Sequence, residues 1–160
     1  MYVQVWIIGA AQTPRTLPWG RPADAPRSLN DVLPLAKEHG VTYPEEVRLV
    51  LQPHLPPNVY AAYRLPGEVL AHEVWSWRRF LNRFDEIVIR IKPDVLANDE
   101  AIVAVMAHEA FELNRLCELL DGSQLQAEEV GKLINPGIDG NLHCQAWDDA
   151  DARIVAWRAR

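Results

Sequence analysis

Val105-Met106-Ala107-His108-Glu109-Ala110-Phe111-Glu112-Leu113 decides how the rest of this chain is read. It sets a histidine and two glutamates inside the apolar stripe of what should be a long helix. Each helical residue advances about 100°, so with His108 at the origin Glu112 lies at about 40° and Glu109 at about 100°. His108 and Glu112 are then neighbours on one face, one turn apart. Glu109 stands beside them, in line with Ile102, Met106, Leu113, Leu116 and Leu120, a row that should be buried. A carboxylate in a buried row is costly unless it is paired or ligated. Metal chemistry would meet that cost.

The spacing H-E-x-x-E differs by one residue from H-E-x-x-H, the zinc-protease helix pattern in which positions i and i+4 bind the ion and the Glu at i+1 is the general base. Glutamate in place of the second histidine keeps a competent ligand, because zinc accepts carboxylate oxygen as well as imidazole nitrogen. The rival reading, a His and two Glu on a solvated stripe, does not explain the apolar company of Glu109. The pattern therefore nominates His108 and Glu112 as metal ligands, Glu109 as general base, and one Zn2+ per chain.

A catalytic zinc has three protein ligands and an open position, so a third ligand must come from elsewhere. The candidates are His143, His72, Asp139, Cys144, His54 and His39. His143 is favoured, because it opens the last helix in line with Trp147, Ala150, Ile154 and Trp157, a face that should pack inward. His72 is expected on an earlier helix with Trp75, Trp77 and Phe80. Cys117 falls on the face of the long helix opposite His108 and reads as core.

Around this helix the chain reads as strands followed by helices, an α+β pattern with a small mixed sheet, a long metal-motif helix and a packed C-terminal helix. Tyr2 to Ile8 is rich in β-branched and aromatic residues and reads as a strand. Pro14, Pro18, Pro22 and Pro26 recur every four residues and mark a loop or extended arm, with Trp19 available to anchor it. Ser28-Leu29-Asn30-Asp31 opens a short helix that stops at Gly40. Val47 to Leu51, Val59 to Tyr63 and Ile87 to Ile91 read as strands, Glu68 to Phe84 and Gln124 to Ile134 as helices. The long helix starts near Asn98 or Asp99 and ends at Asp121-Gly122. Asn141 caps the last helix, which runs towards Trp157. Ala-His-Glu occurs at 71–73 and again at 107–109 with no further similarity around the two copies, so it is not read as a repeat.

The chain has 160 residues, enough for one domain (1–160) with a sizeable core. With 22 acidic against 16 basic side chains the formal net charge is -6, which argues against nucleic acid or an anionic membrane as partner. Cys117 and Cys144 make neither a disulfide framework nor a C-x-x-C site, so a reduced, cytoplasmic setting is expected. The apolar run from Val3 to Ala11 is too short to span a bilayer and no basic stretch precedes it, so no signal peptide is expected.

Asn98-Asp99-Glu100-Ala101-Ile102-Val103, followed by Ala107-His108-Glu109-Ala110-Phe111-Glu112-Leu113-Asn114, resembles the zincin-like metallopeptidase domains at the C-termini of some bacterial polymorphic toxins. Asn141-Leu142-His143 with Ala146-Trp147-Asp148 and Ala150-Asp151 is similar to the segment that follows in such sequences. The resemblance covers roughly 87–155, within a zincin-like core at 87–157. The strand and Pro-rich arm of 1–27 lie outside it. It implies that His108, Glu109, Glu112 and His143 form the metal site. Two positions depart from the pattern: Glu112 stands where zincins usually have His, and Cys144 where a polar or acidic residue is expected. The function implied is a zinc-dependent hydrolase, metallopeptidase-like, acting on a peptide or protein. The alternative is a non-catalytic interaction or immunity-type protein whose motif residues form a hydrogen-bonded cluster.

Overall fold

A computed structural model describes residues 4–5, 8–12, 18–20, 25–64 and 69–160. In chain order its elements are β1 (Gln4–Val5), β2 (Ile8–Gln12), α1 (Val32–Glu38), β3 (Glu46–Leu51), β4 (Val59–Arg64), β5 (Val69–Leu70), β6 (Glu86–Ile91), α2 (Asp99–Leu120), α3 (Ala127–Ile134) and α4 (Leu142–Arg158), with short 3-10 turns at Leu29–Asp31, Trp77–Phe80 and Pro93–Ala97. The fold is α+β. A mixed four-stranded sheet, in the order β2-β4-β6-β3, carries one parallel pair (β3 with β6) and two antiparallel pairs.

Helix α2 is the centre of the core. Asn98 caps it, its side-chain oxygen accepting from the Ala101 amide at 3.1 Å, and Asp99 and Glu100 in the first turn suit the positive end of the helix dipole. The row expected to be buried is buried: Ile102, Met106, Glu109, Leu113 and Leu116 are 0 % exposed and Leu120 is 4 %. The sheet supplies the opposing surface. In β6 the period-2 alternation sends Ile87, Ile89 and Ile91 inward, each 0 % exposed. Helix α4 packs along α2, burying Leu142, Ala146, Trp147, Ala150 and Ile154. Among the described residues no helix is long and apolar enough to cross a membrane.

The Pro-rich arm is tied to these helices at its described part. Arg158 of α4 forms a two-nitrogen ion pair with the buried Glu100 carboxylate (2.6 and 2.8 Å) and also donates to the Pro18 carbonyl. The Gly20 amide donates to Glu100 Oε1 at 3.1 Å. Between these contacts Trp19 packs edge-on to Tyr60 at 4.9 Å and beside Trp147 at 6.4 Å. Trp19 is therefore an anchor, while Pro14 and Pro22 lie outside the described residues.

Several expectations are corrected. The helix expected over Glu68 to Phe84 does not form over 69–84, Glu68 lying outside the described residues: β5 occupies Val69–Leu70 and the only helical turn in 69–84 is the 3-10 turn at Trp77–Phe80. The backbone there is committed elsewhere, with the carbonyls of Ala71 and Glu73 accepting from the Glu128 and Ala127 amides and the Trp75 amide donating to Leu125. Tertiary pairing overrides local propensity. The same contacts delay α3, which begins at Ala127 because Gln126 is bridged to Val74. Of the expected first strand, Gln4–Val5 pairs with β5 and Ile8 belongs to β2, which pairs with β4, while Tyr2, Val3, Trp6 and Ile7 lie outside the described residues. Cys117 is half-buried rather than core.

Candidate metal centre

Three elements bring the site together. Helix α2 presents His108 and Glu112 one turn apart, as the 3.6-residue period requires. Helix α4 presents His143 as its second residue. Its start is fixed by Asn141, whose side-chain oxygen accepts from the Cys144 amide (3.2 Å) and whose Nδ2 donates to the carbonyls of Lys132 and Asn135. Strand β4 contributes Tyr63 from the sheet. His108, Glu109 and Glu112 are 0 % exposed and His143 is 2 %.

The Glu112 carboxylate is the meeting point. Its Oε2 lies 3.0 Å from His108 Nε2 and 3.3 Å from His143 Nδ1, the second contact lying outside hydrogen-bond geometry. Its Oε1 accepts a hydrogen bond from the Tyr63 hydroxyl at 2.8 Å. The two imidazoles meet edge to face, with centroids 4.8 Å apart, and Trp147 lies over His108 at 4.2 Å. Trp147 is held in turn by its indole N–H, which donates to the Gln12 carbonyl at 2.7 Å.

Burial and charge act against each other here. Burial disfavours the imidazolium form of His108 and holds its pKa below the ordinary histidine value, although Glu112 pulls it up. For Glu112, burial raises proton affinity, but the His108 charge and the hydrogen bonds around it prevail, so its pKa falls below the usual carboxylate range. Glu109 goes the other way. Burial first, and then the Glu112 charge, push its carboxyl well above that range, and the Ala11 backbone offsets this only in part. The phenols of Tyr63 and Tyr43 are likewise raised by burial and by the neighbouring carboxylates.

One ligand atom from each of His108, Glu112 and His143 lies within 4.8 Å of the other two. Ligands on a tetrahedral zinc with bonds near 2.0–2.1 Å stand roughly 3.3 Å apart, which the two contacts of Glu112 Oε2, at 3.0 and 3.3 Å, match. The chemistry of the donor set agrees: two imidazoles and a carboxylate suit zinc. A further sign is the concentration of buried polar atoms without a hydrogen-bond partner, namely His108 Nδ1, both oxygens of Glu109 and both ring nitrogens of His143. Buried polar atoms are normally satisfied, and among the described residues most of the exceptions gather around this site.

Of the six candidates for the third position, the structure brings His143 to the motif and leaves the others elsewhere. His72, His54 and Asp139 are exposed. His39 packs on Trp157 at 4.1 Å. The Cys144 thiol faces the Ile138 carbonyl at 3.4 Å. Glu109 is not among the three converging residues. Sequence reasoning missed Tyr63, which lies 49 residues from Glu112 and reaches it only through the sheet. No local pattern signals that contact.

The chain matches no protein-family model, no curated protein and no solved structure. The functional reading therefore rests on the geometry and on the resemblance of its motif.

Proposed function

We propose that the protein is a metallopeptidase-like hydrolase that holds one divalent ion, zinc by preference, on His108, Glu112 and His143. The observation that carries this reading is the convergence of those three ligand-type side chains at one buried point. Zinc bound there would supply a Lewis acid that polarises a water and brings its pKa towards about 7. Glu112 and the two imidazoles would orient the ion. Glu109, buried one position after His108 on α2, would take the proton of the attacking water and return it to the leaving amine nitrogen. An amide bond of a peptide or protein is the substrate class that the resemblance supports.

A second reading draws on a specific observation: all four side chains are buried, and Glu112 is already engaged by Tyr63 and His108. A closed, hydrogen-bonded polar cluster in a non-catalytic interaction protein has that appearance too. Metal content separates the two. Protein purified without added metal, or supplied with zinc at neutral pH, should carry close to one equivalent by elemental analysis, and a peptide substrate should be cleaved by it but not by Glu109→Gln. If zinc is not taken up, the hydrolase reading fails and the polar cluster replaces it.

A further inference from the structure

The two oxygens of Glu112 have different company. Oε2 faces the imidazoles of His108 and His143, while Oε1 is occupied by the Tyr63 hydroxyl. A free carboxylate can offer an ion one oxygen or two. The difference matters, because one-oxygen binding suits a small four-coordinate ion such as zinc, whereas two-oxygen binding raises the coordination number and suits larger ions such as calcium.

We infer that Tyr63 is a positioning residue that makes Glu112 a one-oxygen ligand. This rests on the metal-binding reading above. The pair of Glu112 and Tyr63 stands in for the second histidine of the H-E-x-x-H pattern: the phenol occupies one oxygen, and the other presents a single donor atom as an imidazole nitrogen would. The departure from the usual sequence thus has a counterpart on another element, 49 residues away.

The sheet is built to hold the phenol in place. Tyr63 on β4 is the register partner of Gly9 on β2. A Cβ on residue 9 would fall 1.9 Å from Tyr63 Cζ and 2.3 Å from its hydroxyl oxygen. Real side-chain carbons do not approach so closely, and the atoms in the way belong to the ring that carries the bond to Glu112. Gly9 is therefore the space that the ring needs. The Tyr63 ring also meets Phe80 edge-on at 6.0 Å. Tyr63 is 2 % exposed, so little water competes for its hydroxyl.

The test is a double-mutant cycle on the full chain, read by Co2+ affinity and by the visible Co2+ spectrum, whose bands are stronger in four-coordinate than in five- or six-coordinate sites. Tyr63→Phe keeps the ring and its packing. It should weaken Co2+ binding by about 10- to 100-fold, the usual effect of losing a hydrogen bond to a ligand. It should also weaken the visible bands as Oε1 joins the ion. In a Glu112→His background, where no second oxygen exists, the same Tyr63→Phe change should leave affinity and spectrum unaltered. Gly9→Ala, which displaces the ring, should shift the spectrum in the same direction as Tyr63→Phe. An equal loss from Tyr63→Phe in both backgrounds would mean a merely structural tyrosine and would overturn the inference while leaving the metal reading intact. An unchanged spectrum and affinity in Tyr63→Phe would do the same. Failure of the wild-type protein to bind Co2+ or Zn2+ at all would overturn the metal reading, and this inference with it.

Discussion

Ala-His-Glu appears twice in this chain, and the two copies have opposite fates. At 71–73 the tripeptide lies in a turn after β5. His72 is exposed, and Glu73 accepts a charged hydrogen bond from Arg79 at 2.7 Å with its side chain 30 % exposed. At 107–109 it lies in the middle of α2, where His108 and Glu109 are 0 % exposed. The side chains are identical, so the difference lies in their surroundings: the backbone of 71–73 pairs with Ala127 and Glu128, whereas 107–109 continues along α2. Four residues after His72 is Ser76, and four after Glu73 is Trp77. Four after His108 is Glu112, and four after Glu109 is Leu113. On the helix, a second ligand and a buried neighbour at i+4 make the tripeptide part of a candidate metal site.

Removing each histidine in turn gives the largest expected contrast between the two copies. His108→Ala should lose most of the bound zinc by elemental analysis, while His72→Ala should keep about one equivalent. Were both variants to retain the ion, the centre would lie outside α2. Were both to lose it, the exposed copy would matter in a way that the geometry does not support. His143→Ala should behave as His108→Ala does, since its ring nitrogen lies 3.3 Å from the shared Glu112 oxygen.

The glutamates come next. Glu109→Gln keeps the shape and removes the base, so it should retain zinc and fold while lowering hydrolysis of a peptide substrate by about 10²- to 10⁴-fold. Glu73→Gln should leave the rate unchanged. A Glu109→Gln protein that hydrolyses at the wild-type rate would remove Glu109 from the proposed chemistry. One that loses its zinc would make Glu109 a ligand.

How much of this was legible follows from the range over which each signal acts. The α2 row, the Asn98 and Asn141 caps and the alternation of Ile87, Ile89 and Ile91 are written in residues a few positions apart. The α+β class, the burial of Glu109 and the inward face of His143 could therefore be read directly. The segment 69–84 could not. Its backbone bonds run to Leu125, Ala127 and Glu128, some fifty residues away, and nothing in Ala71-His72-Glu73 announces them. Tyr63 was illegible for the same reason, since its partner is supplied by the sheet and its room by Gly9. His143 was reachable because both its helix face and the face of α2 carry a visible apolar stripe, and two such stripes pack together.

The smallest effects concern stability and probe the same pair of glutamates. In the metal-free protein Glu109 is a buried carboxyl that only the Ala11 backbone partly compensates, and an under-satisfied buried group costs roughly 1–3 kcal/mol. Glu109→Met has a similar length and no polar atoms, so it should stabilise the metal-free fold by up to about that amount in urea denaturation, at the expense of function. The pH dependence has a definite sign. Because the folded protein raises the pKa of Glu109, the wild type loses stability as pH rises from the ordinary carboxylate range towards that raised value. The advantage of the Met variant should therefore be larger at neutral pH than in acid. Glu73 gives the contrast. Its pair with Arg79 is partly exposed on both sides, so screening by water leaves that pair worth less than about 1 kcal/mol, and Glu73→Ala should not stabilise the fold. If Glu109→Met instead destabilised the metal-free protein, the Ala11 backbone would be holding the Glu109 carboxyl firmly enough to offset its burial, and the two copies would differ in depth alone.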